Sequence, residues 1–403
     1  MSDSPFDPTL DLDRLLSPAG RELDPPTSLS PLPFDLNAGV PDRASLPARE
    51  LAEAARRAIE ADPGGALTYG GVAGYEPLRA WIAARQSAET GLEVTSAHIA
   101  LASGSAHAID NIAATFVAVG DAVITGAPTY PGAIRAFRAR GARIVGVPQD
   151  DDGLEMDALE AALERERASG RPAKLIYVVA TYDNPTGATL PLARRERLAE
   201  LAERFGTLIV EDDAYAGIDF DGPPPTSLLQ ITRGRSILRV GTFSKTLASG
   251  LRVGWVVADP RVIERLNFMR FDNGSPPLIH RMVLEYLEAG GYDEHVEHLR
   301  ELYRARRDAS AAALREHCEP YVTFRPPAGG FYHWLRLREG LDAHAVFEAG
   351  KRHGVAVTPG PNYYPAEGGK DRVRLVYSGL TPDELREGVA RLGQALEDVA
   401  NGR

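Results

Sequence analysis

Lys245 stands in the run Gly241-Thr242-Phe243-Ser244-Lys245-Thr246, directly after the apolar segment Ile237–Val240, and Arg252 follows. A lysine amine held in a small-residue loop can form a Schiff base with an aldehyde. The hydroxyls of Thr242 and Ser244 and the guanidinium of Arg252 suit a dianion. Ser103-Gly104-Ser105, at an expected helix start, offers backbone N–H groups, a hydroxyl and a positive dipole end to a phosphate. Tyr130 can stack on a planar ring. Asp212 can pair with a protonated ring nitrogen, while Asn184 and Tyr215 can hydrogen-bond a ring oxygen. Together these groups describe a site for a phosphorylated aromatic cation held as an imine. Pyridoxal 5′-phosphate is such a group, and a carboxylate at its ring nitrogen preserves the electron sink.

These residues must be positioned by a regular scaffold. Short apolar runs at Ile99–Ala102, Ala122–Thr125, Ile144–Val147, Leu175–Val179, Leu208–Val210, Ile237–Val240 and Val253–Ala258 alternate with amphipathic stretches. Those stretches predict helices near Ala106–Val119, Gly132–Arg140, Met156–Arg165, Leu192–Phe205 and Pro260–Met269. Strands alternating with helices predict an α/β fold whose seven-stranded, mainly parallel sheet is buried on both faces. Ligands bind outside the carboxyl ends of such strands, where the polar groups above stand. Ser45 is a candidate cap for a helix starting near Pro47. After about residue 290 the pattern becomes a smaller α+β unit. It has a long charged helix from Asp293 to about His317, then strands at Val322–Phe324, Phe331–Leu337 and Val373–Tyr377. Helices follow near Ala343–Arg352 and after Thr381-Pro382. The first 45 residues predict an extended proline-rich arm with a short helix near Leu12–Leu16.

Each residue also has a plainer use. A lysine is usually a solvated charge, Asn184-Pro185 is a common turn signal, and Asp213 competes with Asp212 as the acid that matters. Arg372 and Arg374 are two apart on one strand and so share a face. His295 and His298 read as solvated residues of an acidic helix, and no metal-ligand spacing is present. The net charge of −11 over 403 residues argues against a general nucleic-acid binder. The lone Cys318 forms no intrachain disulfide and suits a reducing compartment. The N-terminal MSDSPFDPTLDLD has no basic, then apolar, signal pattern, and no apolar run is long enough to span a bilayer. The expected location is the cytoplasm.

The ordered motifs carry a resemblance. They are Asn37–Asp42, Tyr69–Arg79, Ser103–Ser105, Pro128–Gly132, Asp183–Gly187, Glu211–Tyr215, Phe243–Trp255, Pro327–Trp334 and Arg372–Ser378. The sequence resembles a fold-type I, pyridoxal phosphate-dependent aminotransferase of the class I/II family. It is most similar to the kynurenine/2-aminoadipate aminotransferase subgroup. The resemblance implies an aspartate aminotransferase-like fold, with an N-terminal arm over 1–45, a large cofactor-binding domain over 46–290 and a small domain over 291–403. The arm is expected to pack with the small domain and the active site.

The same resemblance implies roles. Lys245 is the aldimine lysine and proton shuttle, Asp212 the ring-nitrogen partner, and Asn184 and Tyr215 the ring-oxygen partners. Tyr130 stacks on the ring. Ser105, the backbone of Ala106, Thr242, Ser244 and Arg252 form the phosphate cup. Tyr69 reaches the phosphate of a neighbouring subunit, which implies a homodimer with shared sites. Arg374 grips the substrate carboxylate, with Gly39 and Asn184 beside it. Three departures stand out. Ala106 replaces a frequent Gln, Asp183 replaces a frequent Gln or Asn, and Phe271–Pro277 matches poorly.

The implied reaction moves an amino group between an amino acid and a 2-oxo acid. The alternative is another reaction of the same cofactor on an amino acid: elimination, replacement, cyclisation or oxidation. A transcription regulator carrying such a domain is not expected, because the arm is too short for a winged helix.

Overall fold

A computed structural model describes residues 11–22 and 30–402. Its centre is an eight-stranded sheet. Across it the strands run Ile99–Ala102, Gly254–Val257, Ile237–Thr242, Leu208–Asp212, Leu175–Val178, Ala122–Ala127, Arg143–Asp150 and Gly153–Leu154. The four pairings from Ile237–Thr242 across to Arg143–Asp150 are parallel. Gly254–Val257 is antiparallel to both its neighbours. All seven expected strands are present. The eighth, Gly153–Leu154, is a two-residue return antiparallel to Arg143–Asp150 and too short to leave a pattern in the sequence.

Apolar residues fill both faces, as the continuous apolar runs require. Ala100, Val123, Tyr177, Val210 and Leu238 pack on one face, and Ile99, Ile124, Ile176, Ile209 and Ile237 on the other. Each large aliphatic side chain among these, fully buried, stabilises the fold by about 1.5–3 kcal/mol. The core of the first face continues through Leu299, Tyr303 and Leu314 of the helix Tyr292–His317. From there it reaches a four-stranded antiparallel sheet ordered Val322–Thr323, Tyr332–Leu337, Arg372–Val376, Thr358–Pro359. The helix Pro382–Ala400 packs on Tyr292–His317 and opens with a capping box between Thr381 and Glu384.

The arm joins this second unit. Phe34–Asp35 pairs in parallel with Val355–Ala356, and Val376 N–H donates to Leu36 O at 2.9 Å. Among the described residues of the arm, Leu12–Leu15 is helical. One local expectation fails. The helix Ala48–Ala61 starts after Pro47 without a side-chain cap, and Ser45 turns back on Asp42, whose carboxylate accepts from its N–H at 2.7 Å. A second concerns histidine: His298 is exposed, but His295 is half-buried. Helices Glu76–Thr90 and Pro277–Glu288 were not expected. Among the described residues no helix is long and apolar enough to cross a membrane.

Candidate active site

The carboxyl ends of the parallel strands form one side of a crevice, and the arm with the smaller sheet forms the other. Asp212 ends the strand Leu208–Asp212 and is only 3% exposed. Its Oδ2 accepts from the Tyr177 hydroxyl at 2.7 Å, while its buried Oδ1 has no hydrogen-bond partner. Burial pushes this carboxyl up to about 6, against the Tyr177 hydrogen bond, which pulls it down. The rival acid is engaged elsewhere: Asp213 pairs with the buried Arg239 at 2.5 Å.

Lys245 follows the strand Ile237–Thr242, and its Nζ donates to Gly39 O at 2.7 Å. Burial, and after it Arg374, pull the amine down to about 8, against the upward pull of Asp212. A depressed amine of this kind is partly neutral near neutral pH and can take up a proton.

Arg374 lies in the strand Arg372–Val376, paired with Trp334 on one side and Thr358 on the other. It is buried, donating from Nη1 to Asn184 Oδ1 at 2.9 Å and from Nη2 to Asn37 O at 2.5 Å. Its Nε is buried without a partner. The guanidinium lies over the rings of Tyr332 and Tyr363, at 4.5 and 5.0 Å from their centroids. Arg372 instead pairs with its neighbour Asp371 nearer the surface. Tyr215 is buried, with its hydroxyl 2.6 Å from that of Tyr332. Burial, then Tyr332, hold its phenol well above the usual value. Burial likewise raises Tyr130, to about 12.

On the same edge of the sheet, after the strand Ile99–Ala102, Ser105 opens the helix Ser105–Phe116, and Ala106 is exposed in its first turn. Gly104 precedes it at φ 86°, a left-handed conformation, and a Cβ there would strike the Arg252 guanidinium. Arg252 donates to Ser103 O at 3.2 Å. Thr242 accepts from Ser244 N–H at 3.1 Å, and the two hydroxyls are 2.9 Å apart. These hydroxyls, the helix N-terminus and one guanidinium form a small cradle of donors. Gly39 approaches the Tyr332 hydroxyl so closely that a Cβ would collide with it.

Of the expected residues, Tyr69 alone stands apart, 87% exposed. The poorly matching segment lies against its loop. Arg270 grips Asp272 through two bonds, at 3.0 and 2.8 Å, and donates to Val72 O at 2.9 Å. That anchors a segment whose Phe271 is 91% exposed.

The model for aminotransferase class I and II matches residues 33–392. The chain belongs to this family. The aminotransferase is 32% identical to aromatic-amino-acid aminotransferase 1 of Thermococcus litoralis over 367 residues, covering 91% of this chain and 88% of the relative. A solved structure of α-aminoadipate aminotransferase from Thermus thermophilus, complexed with N-(5′-phosphopyridoxyl)-L-leucine, superposes with a TM-score of 0.85 at 32% identity. It covers 92% of this chain and 93% of that one. Kynurenine aminotransferase from Pyrococcus horikoshii, in complex with its cofactor's amine form, gives a TM-score of 0.90 at 29% identity, covering 96% and 98%. The aminotransferase therefore has the fold-type I architecture, uses pyridoxal phosphate and moves an amino group between an amino acid and a 2-oxo acid. Its residues fit that cofactor: a buried carboxylate oxygen without a partner, a cradle of donors and a depressed lysine amine face one crevice.

Sequence reasoning did not single out Tyr177, Tyr332 or Asn37. Tyr177 lies inside an apolar run and read as core. Tyr332 stands in the Pro327–Trp334 motif without an assigned use. Asn37 contributes a backbone carbonyl, for which a sequence carries no side-chain signal.

Proposed function

We propose that Lys245, Asp212 and Arg374 organise amino-group transfer on a free α-amino acid. The observation that carries this reading is the unpartnered Oδ1 of buried Asp212, in the same crevice as Lys245 and Arg374. Asp212 holds the proton of the ring nitrogen. Asn184 and Tyr215 hydrogen-bond the ring oxygen, and Tyr130 stacks on the ring. Ser105, the Ala106 N–H, Thr242, Ser244 and Arg252 take the phosphate. Bound pyridoxal phosphate supplies the sink for the electron pair left when the substrate's Cα–H bond breaks.

Arg374 holds the substrate carboxylate as a fork, with Asn184 and the Gly39 backbone beside it, and so fixes the plane in which Cα sits. The Lys245 amine would take the proton from the substrate's Cα and hold it for its return. The enzyme acts as a homodimer in the cytoplasm, and Tyr69 serves the phosphate of the partner subunit. The exposure of Tyr69 and Phe271 on one surface supports the dimer. The domain division at about 290 is supported by the separate eight-stranded and four-stranded sheets, and the arm by its own two-stranded pairing with Val355–Ala356.

Borohydride reduction of the purified holoenzyme should link the cofactor covalently to the peptide that carries Lys245. Labelling of any other lysine refutes the assignment. An amino-acid panel with 2-oxoglutarate or pyruvate, read by mass spectrometry, then identifies the donor. Aromatic amino acids, 2-aminoadipate and kynurenine belong in it, since relatives are named for them.

A further inference from the structure

Two phenols meet in the crevice. The Tyr215 and Tyr332 hydroxyl oxygens are 2.6 Å apart, a short O–H···O bond, and both residues are buried. The two rings meet edge to face at 5.6 Å. Each phenol has one proton to donate. If Tyr215 spends its proton on the cofactor's ring oxygen, the bond between the phenols must run from Tyr332 to Tyr215. The Arg374 guanidinium lies over the Tyr332 ring, 4.5 Å from its centroid, and, having no acceptor, does not compete for the Tyr332 proton.

We infer that Tyr332 is a positioning residue that strengthens the Tyr215 hydrogen bond to the ring oxygen and thereby lowers the pH at which the bound chromophore gives up its proton. The inference rests on the assignment of Tyr215 to the ring oxygen. A chain of hydrogen bonds polarises each member, so the second phenol makes the first a stronger donor. A donor at the ring oxygen stabilises its anionic form. Other groups facing the pair keep their own fields. Lys245 lies 6.0 Å from the Tyr215 ring centroid and 5.7 Å from that of Phe331, and Arg374 lies over Tyr332. Tyr130, Tyr363 and Tyr377 also face the pair. Tyr332→Phe keeps these side chains and the ring beneath Arg374 in place.

The test is the absorbance–pH titration of the holoenzyme, which reads the chromophore rather than turnover. Tyr332→Phe should move the midpoint upward by about half a pH unit, the share a second donor adds to a charge-assisted bond. Tyr332→Leu, a second hydroxyl-free variant, should move it the same way. Tyr215→Phe should move it further upward, and adding Tyr332→Phe to that background should change nothing more. A wild-type midpoint in Tyr332→Phe, beside a shifted Tyr215→Phe, overturns the relay and leaves the role of Tyr215 standing. An equal shift from Tyr332→Phe in both backgrounds overturns it too, because Tyr332 then acts through packing. An unmoved midpoint in Tyr215→Phe overturns the ring-oxygen assignment, and the relay falls with it.

Discussion

Asp183 is a carboxyl in a place that suits an amide, and its replacement by Asn has a calculable effect. The side chain is 3% exposed, and its Oδ2 accepts from the Thr186 hydroxyl at 2.7 Å. Burial raises its pKa to about 7, the nearby Asp212 charge adds to the rise, and hydrogen bonds from Thr186 and Gln149 oppose it. An ordinary aspartate titrates near 3.8. Between these values the native chain keeps a proton that the unfolded chain has lost, so stability falls as pH rises through that window. Above it the cost is complete, at about 4 kcal/mol for a rise from 3.8 to about 7.

The amide of Asp183→Asn cannot ionise, and its carbonyl oxygen can still accept from Thr186. The variant should therefore gain on the wild type as pH rises from about 4 to about 7, and the gain should level off above that. Loss of the Asp183 charge also eases ionisation of Asp212 in the same window, in the same direction, and the amide's own hydrogen bonds add a pH-independent offset. Urea denaturation of both proteins across that range, at fixed protein and cofactor concentrations, measures the difference. A stability difference that does not change with pH would show that burial does not hold a proton on Asp183.

Two further outcomes bear on the substrate and the assembly. Arg374→Lys loses the fork to Asn184 and Asn37 and should lower kcat/KM by about 30- to 5,000-fold, the effect of about 2–5 kcal/mol, while the bound-cofactor spectrum stays nearly unchanged. Arg372→Lys should be mild, and the reverse order in steady-state kinetics would put the carboxylate on the other arginine. Tyr69→Phe and Lys245→Ala should each impair the enzyme alone. Mixed dimers concentrate both defects in one site and should recover about half of full activity per dimer. Demonstrated heterodimers without recovery would rule out a shared site.

The large sheet was legible because its strands are buried on both faces and read as continuous apolar runs. The chemistry was legible because it sits where those runs end. The weak spots are local or long-range. Gly153–Leu154, Phe34–Asp35 and Thr358–Pro359 are two-residue strands with no period to detect. The Glu76–Thr90 helix has a weak apolar stripe, which hides it from periodicity. Asp212 and Asp213 are adjacent in sequence, and only their partners in the fold, Tyr177 for the first and Arg239 for the second, separate them. Arg372 and Arg374 share a face by register, yet only Arg374 reaches Asn184, because a partner 190 positions away cannot be inferred from alternation. The Tyr215–Tyr332 bond spans 117 positions and is invisible for the same reason.

The segment from Phe34 to Asp42 touches the small sheet, Lys245, Arg374 and the long helix. It adds a strand beside Val355–Ala356, gives Arg374 the carbonyl of Asn37 and Lys245 the carbonyl of Gly39. It then anchors through Asp42 to Arg306, at 2.6 Å in the long helix. The stretch thus acts as a drawstring threaded through both halves of the molecule. Grafting this stretch from a relative would change the Lys245 partner, the Arg374 partner and the contact with the long helix in a single operation. The stretch is thus a structural part of both sheets' surroundings, and exchanging it exchanges all of these contacts together.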